Sequence, residues 1–151
     1  MASDAPSGDS IVLRSLEAGD YEKGFLSILA QLTTVGDISK EKFNEQFERI
    51  NASKDYHVVV AEMEGRIVGS ATLLVEHKFI HDCGCVGHIE DVVVDKEIRG
   101  KQLGKRLIME LLKRSQADGC YKTILDCAQD NVAFYAKCGL KTKEIQMVLY
   151  H

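Results

Sequence analysis

The 151-residue chain contains no tryptophan, one proline (Pro6) and no apolar run near the ~18 residues that a membrane-spanning helix requires. A helical membrane protein is therefore not expected. Positive charge is also short: 19 Lys and Arg stand against 23 Asp and Glu, for a formal net charge of −4. A general nucleic-acid binder usually carries a basic excess, so that class is not expected either. The first residues lack the apolar core of a secretory leader. Residues 1–9, small, polar and acidic, read as a mobile tail. The cysteines Cys83, Cys85, Cys120, Cys127 and Cys138 are odd in number. Without a leader they are expected to be reduced thiols in a cytoplasm-like compartment. There is no internal repeat, linker or low-complexity tract, so residues 10–151 are expected to form one domain. At ~150 residues a chain buries roughly 70% of its unfolded surface, enough to fold without disulfides or a structural metal.

What is present is a succession of apolar periodicities. Ile11, Val12 and Leu13 begin a short strand. Asp20 looks like the N-cap of a helix carrying Phe25, Ile28, Leu29 and Leu32, which Gly36 and Asp37 end. Ser39 caps a second helix with Phe43, Phe47 and Ile50 on one face. Residues 56–63 and 66–77, joined at Glu64-Gly65, make a hairpin. A loop over 78–86 leads to a strand at 88–94. Residues 101–115 place Leu103, Leu107, Ile108, Leu111 and Leu112 on one stripe of an amphipathic helix. A strand at 121–127, a short helix at 131–137 and a closing strand at 140–149 complete the chain. This is an α/β pattern: a mixed, mostly antiparallel sheet flanked by helices.

The most informative stretch runs from Glu90 to Lys105, where a strand enters a glycine-bearing loop that opens directly into the amphipathic helix. Such a junction aims backbone N–H groups and the positive end of the helix dipole at one point, a natural place for a phosphate. A plain turn is the competing reading. The nucleotide P-loop does not fit, because Gly100 and Gly104 are separated by three residues rather than four. A dinucleotide fingerprint lacks its third glycine.

The string Arg99-Gly100-Lys101-Gln102-Leu103-Gly104 resembles the acyl-CoA-binding loop of the GNAT acetyltransferases, with Gln102 in place of the central glycine. The similarity sharpens over Gly87-His88-Ile89-Glu90-Asp91, Gly119-Cys120-Tyr121-Lys122, Leu125-Asp126-Cys127 and Asn131-Val132-Ala133-Phe134-Tyr135. Together with Gln31-Leu32-Thr33 and Glu76-His77-Lys78-Phe79-Ile80-His81, these strings resemble the eukaryotic glucosamine-6-phosphate N-acetyltransferases.

That resemblance implies acetyl-CoA as co-substrate, bound at the strand–loop–helix junction, and an amino-sugar phosphate as acceptor. It assigns the pantetheine to the backbone of Val92, Val93 and Val94. The pyrophosphate falls to Arg99, Gly100, Lys101, Gln102, Leu103, Gly104 and Lys105, and the cofactor arm to Asn131. It makes Tyr135 the hydrogen-bond donor to the departing thiolate and Asp126 the carboxylate beside the amine. Thr33, Lys78, Phe79, Ile80, His81, Glu90 and Asp91 would complete the sugar-phosphate site. A strand points Glu90 and Asp91 to opposite faces unless a bulge intervenes, so one side chain is expected to reach the sugar. The resemblance also implies a homodimer whose partner C-terminus completes the site. Tyr150-His151 stand where such enzymes commonly carry an arginine.

Two other readings compete. An acetyltransferase of this fold could act on a protein lysine, an N-terminus or a polyamine. A non-enzymatic CoA- or zinc-binding module is the second, with His77, His81, Cys83, Cys85 and His88 as ligands. Cys-x-Cys is not the usual zinc spacing, and no metal is expected.

Overall fold

The structure, a computed structural model, describes residues 10–98, 100 and 102–151. The tail at 1–9 and two residues of the glycine loop, Arg99 and Lys101, lie outside the described residues.

Five strands form one sheet: β1 (Ile11–Ser15), β2 (Tyr56–Met63), β3 (Arg66–His77), β4 (Cys85–Val94) and β5 (Lys122–Leu125). They lie side by side in chain order, antiparallel except for the β4–β5 pair, which is parallel. Helices α1 (Phe25–Leu29) and α2 (Lys40–Asn51) cover one face, and α3 (Leu103–Ala117) and α4 (Val132–Lys137) the other. With both faces covered, β2 is a continuous apolar run whose side chains alternate between two cores. Val58 and Val60 join Phe25, Ile28 and Phe43, whereas Val59 and Ala61 join Leu103, Leu107, Ile108 and Leu111. Leu107, Ile108 and Leu111 are fully buried, each contributing about 1.5–3 kcal/mol by transfer from water. Helix α3 sits close to the sheet because of Gly87. A Cβ at that position would collide with Ser115 Oγ, which accepts a 2.8 Å hydrogen bond from Thr123 Oγ1 on β5.

Most elements lie where the periodicity puts them, including the hairpin and the α2 cap, where Lys42 N–H donates to Ser39 Oγ at 3.2 Å. Asp20 does not cap α1. It is fully buried in a short 3-10 turn (Ala18–Tyr21), where Arg14 donates to both its oxygens at 2.7 and 2.8 Å. Arg14 also reaches Glu62 at 2.6 Å, and Lys23 donates to Glu62 at 2.9 Å. A buried carboxylate gains more from a guanidinium than from a backbone cap. Gly24, at φ 85°, then separates the turn from α1.

The closing strand at 140–149 is not formed. Residues 141–151 adopt no regular structure, and Ile145, Met147 and Leu149 are 91%, 92% and 78% exposed. A strand needs a ladder partner, and none of the described residues pairs with this one.

Candidate active site

The site begins with a break in the β3–β4 ladder. Ser70 faces Val93 and Thr72 faces Glu90, so Asp91 and Val92 together oppose Ala71. This is a β-bulge, and Asp91 takes the left-handed conformation at φ 50°. The bulge resets the alternation of β4. Glu90 and Asp91 are therefore both among the residues that line the cavity on the α1–α2 face. That cavity, about 720 Å³, runs between the sheet and α2 and is also lined by Ser70, Thr72 and Tyr56.

On its other flank β4 has a free edge. The β4–β5 ladder stops at Ile89 and Leu125, so Glu90 to Val94 have no strand partner on that side among the described residues. Asp126 follows β5 directly, close enough to act electrostatically on Glu90. Partial burial first, and then repulsion from Asp126 and Asp91, push the Glu90 carboxyl above its ordinary value. Three carboxylates thus converge where the two strands cease to pair.

The loop after β4 is held by Asp95, a buried carboxylate. It accepts from Glu97 N–H at 3.1 Å, Arg66 Nη1 at 2.9 Å and Gln31 Nε2 at 3.4 Å. Gln31 Oε1 accepts the Lys96 N–H at 3.0 Å. Gly100 adopts φ 94°, a conformation costly for other residues, and Gln102 enters α3 at φ 58° without capping it through its side chain. Among the described residues nothing caps the first N–H groups of α3, from Leu103, Gly104 and Lys105, which suits them to an outside acceptor. Gly104 packs beneath Phe134, whose ring would stand 3.1 Å from an added Cβ, and near Val94. Phe134 meets Tyr135 edge-on at 4.9 Å. The helix N-terminus, the free edge of β4 and Tyr135 therefore adjoin. Tyr135 is half-buried, and burial raises its phenol pKa, with Cys127 and Cys138 adding to the shift. Asn131, exposed at the start of α4, forms no side-chain cap.

The remaining sequence candidates are more dispersed. Thr33 is exposed just beyond α1 and does not line the cavity. Lys78 Nζ donates to Glu76 at 2.9 Å, and Glu76 also bonds His88 at 2.8 Å. His88 lies two residues before Glu90 on the same face, so this chain leads towards the carboxylates. Glu76 and His88 had no place in the sequence-derived site, although an i, i+2 step back from Glu90 reaches His88. Phe79 is 94% exposed, and Ile80 is exposed beside it. The His81 ring stacks on Tyr121 at 4.1 Å within a turn where His81, Asp82 and Cys83 all have positive φ. The five residues of the zinc alternative are scattered: His77 bonds Asp55, His88 bonds Glu76, and His81 lies on Tyr121. Among the described residues no group of three or more His, Cys, Asp or Glu side chains could hold a metal ion.

Residues 24–140 match the Acetyltransferase (GNAT) family. The chain belongs to the GNAT acetyltransferase family. Among GNAT relatives it is 44% identical over 145 residues to the glucosamine 6-phosphate N-acetyltransferase of Arabidopsis thaliana, covering 94% of this chain and 97% of the relative. It is 46% identical over 137 residues to the enzyme of the same name from Candida albicans, covering 89% and 92%. The crystal structure of the Arabidopsis thaliana glucosamine-6-phosphate N-acetyltransferase superposes with a TM-score of 0.91 at 45% identity, over 93% of this chain and 97% of that one. The mixed five-stranded sheet with flanking helices described above is thus a GNAT fold.

Proposed function

We propose that the chain transfers the acetyl group of acetyl-CoA to the amino group of glucosamine 6-phosphate, with residues 10–151 acting as one catalytic domain. The observation that carries this reading is kinship over most of the chain with relatives bearing that name, at 41% to 46% identity. The geometry supports it. An extended pantetheine fits the free edge of β4 at Val92, Val93 and Val94, and a pyrophosphate fits the uncapped start of α3. Arg99 and Lys101 are proposed to add charge there, beside Lys105.

The chemistry is direct attack within a ternary complex. The sugar amine arrives as an ammonium, which Glu90, Asp91 and Asp126 attract. It must lose a proton before attacking the thioester carbonyl. Asp126 accepts that proton, directly or through water, and Glu90, its carboxyl pKa raised by partial burial and then by Asp126 and Asp91, is the second acceptor. As the C–S bond breaks, charge builds on sulfur, and the Tyr135 hydroxyl donates to it. That hydrogen bond is stronger in the transition state than in the ground state, so it accelerates the reaction. The raised phenol pKa keeps the donor protonated at working pH. Thr33, Lys78 and His81 are proposed to face the sugar phosphate, with Phe79 and Ile80 at the rim.

We further read the active form as a homodimer in a cytoplasm-like compartment. Residues 141–151 carry exposed Ile145, Met147, Val148, Leu149 and Tyr150, the composition of a strand awaiting a partner. A second copy supplies one, and Tyr150-His151 then lie where a partner's site could use them. Among the described residues no helix is long and apolar enough to cross a membrane.

The test is thiol release from acetyl-CoA with glucosamine 6-phosphate, glucosamine and a lysine peptide in parallel. The phosphorylated sugar should give the highest kcat/KM. A preference for the peptide would overturn the assignment in favour of a protein-directed acetyltransferase.

A further inference from the structure

Two cysteines outside the candidate site meet at the other end of the β4–β5 pair. Cys85, which opens β4, is buried, and Cys120 is half-buried in the turn between α3 and β5. The Cys85 thiol donates to the Cys120 sulfur across 3.5 Å and lies 3.6 Å from the Asp118 carbonyl oxygen. The Tyr121 N–H donates to the Cys85 carbonyl at 2.9 Å, immediately before the parallel ladder starts at Val86 and Lys122. Backbone and ladder thus hold the two residues on neighbouring strand ends. The register sets Cys85 opposite Tyr121, so Cys120 lies one residue along the diagonal: ~4.8 Å across and ~3.3 Å along give roughly 5.8 Å between Cα atoms, within the range a disulfide spans. Rotation about the two Cα–Cβ bonds can close the remaining gap to the ~2.05 Å of an S–S bond.

We propose that Cys85 and Cys120 form a reversible intramolecular disulfide on exposure to a peroxide, a modification site at the foot of the β4–β5 pair. The Cys85 S–H stabilises negative charge on the Cys120 sulfur, which is also the more accessible of the two, so Cys120 reacts first. Its thiolate sulfur attacks one peroxide oxygen. The O–O bond breaks, and Cys120 sulfenic acid forms with release of one water. The Cys85 sulfur then attacks the sulfenic sulfur. The S–O bond breaks, and hydroxide leaves with the Cys85 proton as a second water. In sum, two thiols and one hydrogen peroxide give one disulfide and two waters: sulfur is oxidised and peroxide reduced. A dithiol reductant reverses the bond by exchange. The partner is already in hydrogen-bond contact, so ring closure outruns further oxidation of Cys120.

The bond joins residues 35 apart in sequence, at the paired end of the strands, with Glu90 and Asp126 at the other end. It therefore constrains the unfolded chain without entering the candidate site. The experiment treats reduced, native protein with hydrogen peroxide and maps peptides by mass spectrometry without reduction. A linked pair containing Cys85 and Cys120 should appear, two hydrogens lighter than its parts, and dithiothreitol should remove it. Loop closure of this length should raise Tm by roughly 5–10 °C over the reduced form, while the acetyl-transfer rate is unchanged. Cys120→Ser should abolish both the link and the rise, and Cys83→Ser should abolish neither. Counting free thiols in the wild type before and after oxidation gives a readout that needs no variant, with two lost. The proposal is overturned if the link joins Cys83 or Cys127 instead, or if exposed Cys83 is oxidised while Cys85 and Cys120 remain thiols.

Discussion

Among the described residues, Gln31 ties the segment before Thr33 to the loop after β4 through its side chain. It accepts the Lys96 N–H at 3.0 Å and donates to Asp95 at 3.4 Å. Replacing it with methionine keeps the length and apolar stem but removes both bonds. The shorter bond, between neutral partners at an exposed position, contributes about 1 kcal/mol. The longer one, stretched though directed at a carboxylate, adds about 0.5 kcal/mol. Their sum, about 1.5 kcal/mol, corresponds to roughly a tenfold change in an equilibrium constant. Asp95 keeps Arg66 and the Glu97 N–H, so the loss falls on ordering the loop rather than on global stability. Gln31→Met should therefore weaken CoA binding by up to about tenfold, because only the ordered loop presents the α3 N–H groups. Tm should move by no more than about 2 °C, the local cost not being shared by the core. Isothermal titration with CoA measures the first and calorimetry the second. Gln31→Glu sharpens the test. It retains the acceptor for Lys96 but sets a second carboxylate against Asp95, so its CoA affinity should be lower still at neutral pH and recover on acidification. An unchanged CoA affinity in both variants would refute the idea that this clasp organises the loop.

Tyr135→Phe should lower kcat more than it raises KM for acetyl-CoA; steady-state kinetics with an unchanged kcat would remove its leaving-group role. Glu90→Gln should raise Tm near neutral pH. The folded state favours protonated Glu90, so its stabilising contribution is complete below the unfolded pKa and is lost as pH rises through the raised folded value. The advantage of the glutamine should accordingly vanish in thermal melts taken well below pH 4.5. For Asp20 the sign is opposite. Burial pushes its pKa up, but the Arg14 bonds and the Glu17 N–H more than offset this and leave it below the usual value. Asp20→Asn should cost about 3 kcal/mol at neutral pH, and the gap to wild type should close in urea titrations as pH falls through the folded Asp20 value. Deleting residues 141–151 should give a monomer by sedimentation with its sheet intact by circular dichroism; a dimer would show that association uses another surface.

The fold was legible wherever a face had to be buried. The stripe Leu103, Leu107, Ile108 and Leu111 can only be a helix against a sheet, and the alternation around Val59 and Val60 leaves β2 no other placement. Errors arose where a local signal met a distant partner. Asp20 has the residue type and position of a cap, but Arg14 and Glu62, forty-two residues beyond Asp20, decide where its carboxylate goes. Residues 140–149 have a strand's composition, yet composition cannot supply a ladder. The glycine loop could be read as an anion site from Gly100 and Gly104, but Gly104 also owes its identity to the Phe134 ring above it. Asp95 was given no role because nothing in the string tells a buried carboxylate from an exposed one, and Gln31, noted only within a resembling string, could not be paired with it.

The largest gap between sequence and candidate site is the bulge, on which the proposal that one strand serves both substrates depends. A regular β4 would send Asp91 into the α3 core, where an unpaired carboxylate costs several kcal/mol, and would leave Glu90 alone at the cavity. The additional residue leaves Asp91 at the cavity and resets the alternation, so that Val93 still reaches the α1–α2 core while Val92 and Val94 pack towards α3. The same irregularity begins two residues beyond the last β4–β5 pair, at Ile89 and Leu125. The local increase in twist that accompanies a bulge carries β4 away from its parallel neighbour. One inserted residue therefore adds a second acidic residue to the cavity lining and accompanies the unpaired edge of β4, the two features on which the proposed acceptor and donor sites rest. Restoring a regular register would remove both features together, a coupling that no single side-chain substitution in the site could reproduce.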